Sequence, residues 1–113
     1  RRSNEELIPL VNIMNFNQDD LVIEPYKHEV RKCGEIVNLT PNEFKILMVL
    51  VTYPNKVFTR EDLIISALGR DFEGFDRTVD SHIKNIRQKI ETNTKEPKYV
   101  LTVHGVGYRF GGE

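Results

Sequence analysis

The chain has 113 residues, 39% hydrophobic and 29% charged, with a formal net charge of −1. That suits one soluble domain with a modest core; no apolar run approaches the roughly 18 residues of a membrane helix, and no signal-peptide pattern opens the chain. Residues 1–76 carry 9 Lys/Arg against 13 Asp/Glu, a balance of −4, whereas residues 77–113 carry 7 against 4, a balance of +3. An acidic body with a basic working segment excludes a generally polycationic binder and favours an oriented one.

The single cysteine, Cys33, sits in a turn-like KCGE and has no partner for an intrachain disulfide, so a reducing cytoplasm is the expected setting. Arg1 stands where a complete chain begins with methionine, which implies a piece of a longer protein. Residues 1–8, RRSNEELI, read as the end of a linker, and residues 9–113 as the domain. From Pro9 to Leu39, short apolar or alternating runs (LVNIMNF, LVIEP, HEVRKC, EIVNL) are broken by NQDD, Pro25 and Cys33-Gly34. This predicts three or four short antiparallel strands, a meander that needs helices on one side.

Thr40-Pro41-Asn42-Glu43 has the form of a capping box with proline at the first helical position. Phe44, Leu47, Met48 and Val51, flanked by Ile46 and Leu50, predict a broad buried face on the helix that ends near Tyr53-Pro54-Asn55. A second start at Thr59-Arg60-Glu61-Asp62 precedes Leu63, Ile64, Ala67 and Leu68, with Gly69 as the stop. The loop GRDFEGFD, 69–76, is acidic and aromatic, and Asp76 is placed to cap a third helix.

That third helix, RTVDSHIKNIRQKI over 77–90, is the segment with the clearest division of faces. At about 100° per residue, Val79, Ile83, Ile86 and Ile90 fall within roughly 60° of one another. The opposite arc carries Arg77, Ser81, Lys84, Asn85 and Gln88, with Thr78, His82 and Lys89 on one shoulder and Arg87 on the other. Such a face is either a solvated surface or one that lies against phosphates while its side chains reach base edges. After the polar turn TNTKEP, two strands at Tyr99–Val103 and Tyr108–Phe110 close through His104-Gly105-Val106-Gly107, whose glycines suit a tight hairpin. Strands, three helices and a hairpin read as an α+β winged helix-turn-helix: three or four N-terminal antiparallel strands, three helices and a C-terminal wing.

The strings LTPNEFKILMVLVTYPNKVFTREDLI, DRTVDSHIKNIRQKIE and YVLTVHGVGYRF closely resemble the winged-helix DNA-binding domain of OmpR/PhoB-type response regulators, from about Leu21 to Phe110. The resemblance implies an N-terminal four-stranded antiparallel sheet ahead of three helices and a C-terminal β-hairpin wing, with the third helix entering the major groove of double-stranded DNA, the wing reaching the minor groove, and no cofactor. It further implies head-to-tail dimers on direct repeats and transcriptional control. An aspartate-phosphorylated receiver domain and a sensor kinase would lie outside this chain. By motif position, Ser81, His82 and Asn85 match residues that face bases, and Arg77, Thr78, Lys84 and Arg87 match residues that hold phosphates. Thr102, His104 and Arg109 match the wing. The loop of Arg70, Asp71, Phe72, Glu73, Gly74 and Phe75 matches a segment that contacts RNA polymerase in some members. Two positions depart from the pattern: Leu68 stands where a tryptophan commonly precedes the glycine, and His104 where the wing typically carries arginine.

Residue chemistry agrees with this. An asparagine amide pairs with adenine, and a serine hydroxyl serves several bases. Cations at a helix flank meet phosphate first or pair with Asp80. Tyr108 and Phe110 are expected to anchor the wing. An enzyme reading finds no support, because His28, His82 and His104 lie in separate elements without metal-ligand spacing and no phosphate-binding glycine loop occurs. A winged helix that docks on a protein is the remaining alternative, distinguished by the salt dependence of duplex binding.

Overall fold

The computed structural model describes residues 13–69 and 76–111, without the side chains of Asp76 and Arg77. The chain divides into two units, one up to Asn38 and one from Leu39 onward.

The first unit is a four-stranded antiparallel meander of β1 (Met14–Phe16), β2 (Leu21–Glu24), β3 (Glu29–Lys32) and β4 (Glu35–Val37), paired in chain order. Its turns follow from local chemistry. Asn17, Gln18 and Asp19 all take positive φ, a conformation that asparagine and aspartate tolerate better than most residues. Cys33 and Gly34, at φ 54° and 84°, form the two-residue connection of β3 to β4. Leu21, Ile23 and Val30 are buried, and Ile23 is paired directly with Val30, so the alternation of β2 places its apolar residues on one face.

The second unit begins with α1 (Pro41–Thr52). The capping box is present in both directions: the Glu43 amide donates to Thr40 Oγ1 at 3.2 Å, and the Thr40 amide to Glu43 Oε1 at 3.0 Å. The buried face differs from the expected one. Ile46, Leu47, Leu50 and Val51 are buried, while Phe44 and Met48 lie half-exposed at its margin. The face is turned because Glu43 itself points inward, toward a lysine on the third helix.

Strand β5 (Phe58–Thr59) leads into α2 (Arg60–Leu63), which has its own capping box between Thr59 and Asp62. The helix then widens to π geometry over Ile64–Leu68, closed by the Gly69 amide on the Ile64 carbonyl at 2.8 Å. Leu63 is fully buried and Ile64, Ala67 and Leu68 are partly covered.

The third helix, α3, spans Asp76–Ile90, so Asp76 belongs to the helix itself. Val79, Ile83, Ile86 and Ile90 are 0–1% exposed, which establishes the apolar stripe. Strands β6 (Val100–Val103) and β7 (Gly107–Phe110) form the hairpin, and β5 adds to it in the order β5-β7-β6. The third strand is absent from the sequence expectation, since two residues are too few to show an alternation. Tyr99 and Phe110 stack with ring centroids 6.0 Å apart beneath the hairpin.

The two hairpin glycines serve different ends. Gly105 takes φ +78° at the turn, with open space where a side chain would stand. Gly107 has no such φ; a Cβ there would lie 1.9 Å from the Phe58 carbonyl oxygen, because β5 crosses at that point. Gly107→Ala is therefore expected to cost about 2–3 kcal/mol through overpacking, and Gly105→Ala about 1 kcal/mol through its backbone conformation. Urea denaturation of the two variants measures the difference; equal losses would mean that β5 yields and that close approach does not govern position 107.

Candidate nucleic-acid interface

The apolar stripe of α3 leaves its other arc facing outward. Ser81, Lys84, Asn85 and Gln88 are exposed, and Thr78, His82, Arg87 and Lys89 are half-buried on the two shoulders. Arg77 and the loop 70–75 fall outside the described side chains, so the expectations placed on Arg77, Arg70, Asp71, Phe72, Glu73, Gly74 and Phe75 are not addressed by the geometry. His82 is turned so that Nδ1 is buried without a hydrogen-bond partner.

The wing is bound to this helix at three levels. At the helix end, the Glu91 carboxylate accepts the backbone N–H groups of Lys98 (2.8 Å), Tyr99 (3.0 Å) and Val100 (2.9 Å). Glu91 is 8% exposed, and the three charge-assisted bonds compensate for removing its carboxylate from water. One turn back, Arg87 donates from Nε to the Val100 carbonyl (3.0 Å) and from a terminal nitrogen to Thr102 Oγ1 (2.7 Å). Its guanidinium carbon lies 5.6 Å from the centre of the Tyr108 ring. Near the helix start, Asp80 Oδ1 accepts both Arg60 Nε (2.8 Å) and the Tyr108 hydroxyl (2.5 Å), joining α2, α3 and β7.

Two of the expected contact residues are thereby tied to one another, Arg87 to Thr102. Among the described side chains, the ion-pair partner of Asp80 is Arg60, from α2. Arg109, on β7, donates to the Asn55 side chain at 3.0 Å. His104 stands exposed at the hairpin turn. A cleft of about 240 Å³ opens between helix and wing, lined by Lys84, Arg87, Gln88 and Thr94 together with Asp80 and Tyr108. It offers two cations, an amide and a hydroxyl around a carboxylate that Arg60 already neutralises. Glu91, Arg60 and Thr94 are the residues that sequence reasoning missed. Each sits in an unremarkable polar stretch, and only the approach of a distant element reveals its partner.

Burial raises the Asp80 pKa, but the hydrogen bonds from Arg60 and Tyr108 and the charge of Arg60 outweigh it, and the carboxyl lies below its ordinary 3.8. Burial likewise raises Tyr108, and the bond to Asp80 raises it further. A carboxylate whose folded pKa is depressed adds stability that is present above its unfolded value and lost as pH falls through the folded one. The wing contact is therefore expected to weaken below about pH 3.8. Because the Asp80 side chain is 42% exposed, Tyr108→Phe is expected to cost only about 1 kcal/mol at pH 7. Asp80→Asn should flatten the acid limb of stability. Urea midpoints at pH 7 and pH 3 test both, and an acid limb unchanged in Asp80→Asn would remove this carboxylate from the account.

Residues 34–110 match the family model described as "Transcriptional regulatory protein, C terminal". The chain is 43% identical over 111 residues to the alkaline phosphatase synthesis transcriptional regulatory protein SphR of Synechococcus elongatus, covering 98% of this chain and 42% of that one. Among solved structures it is similar to DrrB, an OmpR/PhoB homologue of Thermotoga maritima (TM-score 0.80, 36% identity, 88% of this chain and 44% of that one). It is also similar to the DNA-binding domain of Klebsiella pneumoniae RstA in complex with the RstA box (TM-score 0.76, 32% identity, 88% and 97%). The chain spans less than half the length of SphR and of DrrB. With the motif order, the three-helix unit and the three-stranded wing on one side and these matches on the other, the chain belongs to the family of C-terminal domains of OmpR/PhoB-type transcriptional regulatory proteins.

Proposed function

We propose that this chain binds double-stranded DNA sequence-specifically and controls transcription as the output domain of a two-component response regulator. One observation carries the reading: α3 buries Val79, Ile83, Ile86 and Ile90 while Ser81, Lys84, Asn85 and Gln88 stand exposed on its other side, on a helix held to its wing through Asp80, Arg87 and Glu91. A rigid helix of this kind lies in the major groove, with Ser81, His82 and Asn85 toward base edges. Arg77, Thr78, Lys84 and Arg87 meet the flanking phosphates, and the wing, with Thr102, His104 and Arg109, lies at the adjacent minor groove. Arg87 anchors the wing through a carbonyl and a hydroxyl, neither of them anionic, so positioning the wing and attracting a phosphate are compatible roles for it.

The similarity to RstA bound to its box supports DNA as the ligand. The two-fold greater length of SphR and DrrB supports a longer protein in which a receiver domain, addressed by a sensor kinase, precedes this segment. Direct repeats, a head-to-tail dimer on DNA, a contact of loop 70–75 with RNA polymerase and a cytoplasmic setting belong to the same proposal.

Duplex binding is expected to weaken steeply with salt. About four to seven phosphate contacts give a slope of about −4 to −6 in log K against log[salt], and Lys84→Ala should lower affinity for every sequence while flattening the slope by about one. A salt-insensitive complex would overturn the reading in favour of a protein partner. Asn85→Ala is expected to cost about 1–3 kcal/mol on the preferred site and much less on random duplex. An equal loss on both would make Asn85 a backbone contact. Selection of bound sequences from a random duplex pool supplies the preferred site.

A further inference from the structure

We infer that Arg60, the first residue of α2, is a further contact to a DNA phosphate, held in place for it by Asp80 of α3; this rests on the duplex binding proposed above. The Arg60 and Asp80 side chains are 44% and 42% exposed, so their ion pair stands at the surface, where it adds little to stability. What the pair does fix is direction. Arg60 meets Asp80 through Nε, at 2.8 Å, and the remaining guanidinium N–H groups sit on its two terminal nitrogens, outside that bond. The same Asp80 oxygen accepts the Tyr108 hydroxyl, so the carboxylate is itself tethered to the wing. A long side chain that would otherwise sweep through solvent is thus held by its inner edge.

The position suits a polyanion. Asp80, Lys84 and Arg87 line one cleft, and Lys84 and Arg87 follow Asp80 by about one and two helical turns. Arg60, bonded to Asp80, adds a third cation to that shoulder of α3, and it comes from a different helix. In a helix-turn-helix, the helix before the one in the groove crosses the phosphate backbone, and α2 has that place here. A guanidinium fork matches two phosphate oxygens, and binding them through the terminal nitrogens leaves the Nε bond to Asp80 intact. Asp80 lowers the net charge of the pair, so the contact draws on hydrogen bonding as well as on charge.

Arg60→Gln tests this when measured in two backgrounds. In the parent it is expected to lower affinity for every duplex about three- to tenfold and to flatten log K against log[salt] by about one. A loss of that kind also follows from leaving Asp80 unpaired beside the phosphates, so the same change is made in Asp80→Asn, where no charge needs neutralising. A phosphate contact still costs affinity and slope there; a residue that only neutralises Asp80 costs nothing, and that result overturns the inference. Duplexes with a single neutral methylphosphonate locate the contact: at one position the substitution should weaken the parent and leave Arg60→Gln unaffected. If every position weakens both alike, Arg60 touches no phosphate. If the parent itself binds without salt dependence, the proposed function fails and this inference with it, whereas a salt-steep parent with a silent Arg60 defeats only the role of Arg60. A measurement on the unsubstituted protein is independent of folding: duplex should slow rotation of the Arg60 guanidinium and separate its terminal N–H signals, and signals that stay averaged overturn the contact.

Discussion

The relation of wing to helix depends on a single buried carboxylate. Glu91 directly follows the last residue of α3 and receives the amides of Lys98, Tyr99 and Val100, the three residues at which the chain turns into β6. No cation is needed, since three aligned N–H dipoles stabilise the charge and are themselves the donors that the start of a strand leaves unpaired. The turn at 92–97 is thereby closed at both ends. Removing the carboxylate strands two buried donors, those of Tyr99 and Val100, and a part-buried third, that of Lys98, a larger penalty than the loss of any one contact. The other ties between wing and helix, Arg87 to Val100 and Thr102 and Asp80 to Tyr108, act on a geometry that Glu91 has already set.

Among the described residues, Asp80, Glu43 and Glu91, the acidic groups within or against α3, are consumed internally. Asp80 is neutralised by Arg60 of α2, Glu43 by Lys89, and Glu91 by backbone amides. The +3 balance of residues 77–113 understates what these pairings leave on the surface, because the carboxylates of Asp80, Glu91 and Glu43 no longer oppose an approaching polyanion. It also overstates the mobile charge, because Lys89 is held by Glu43 and Arg87 by the wing. Lys84 is the exposed lysine on the central arc of the helix. The interface thus pairs a few anchored cations with neutral hydrogen-bonding side chains, a combination suited to selective contact and poorly suited to indiscriminate adhesion.

Several features were legible from residue order alone. The stripe of Val79, Ile83, Ile86 and Ile90 repeats at helical spacing, and both capping boxes, Thr40 with Glu43 and Thr59 with Asp62, lie within four residues. The Cys33-Gly34 turn and the hairpin at 104–107 likewise depend on nearest neighbours. The sequence also divides α3 into an inner and an outer face, from which Ser81, Lys84 and Asn85 follow as outward residues, and its long motifs point to the family.

Tertiary structure decided the rest, because it concerns which distant groups meet. Sequence pattern centres the face of α1 on Phe44, Leu47, Met48 and Val51, with Ile46 and Leu50 beside them. Leu47 and Val51 are buried as expected, but Glu43 turns inward to Lys89 and the buried face shifts from Phe44 and Met48 toward Ile46 and Leu50. Asp80 shares its helix with Lys84, Arg87 and Lys89, but among the described side chains its ion-pair partner is Arg60 of another helix. Gly107 resembles a turn glycine, but is required by the passage of β5, a two-residue strand with no periodicity to announce it. Periodicity and capping are set by covalent neighbours and so survive in a linear reading. A buried charge instead takes whichever partner the packed backbone brings within about 3 Å, and that distance exists only once the helices and the wing have closed around it.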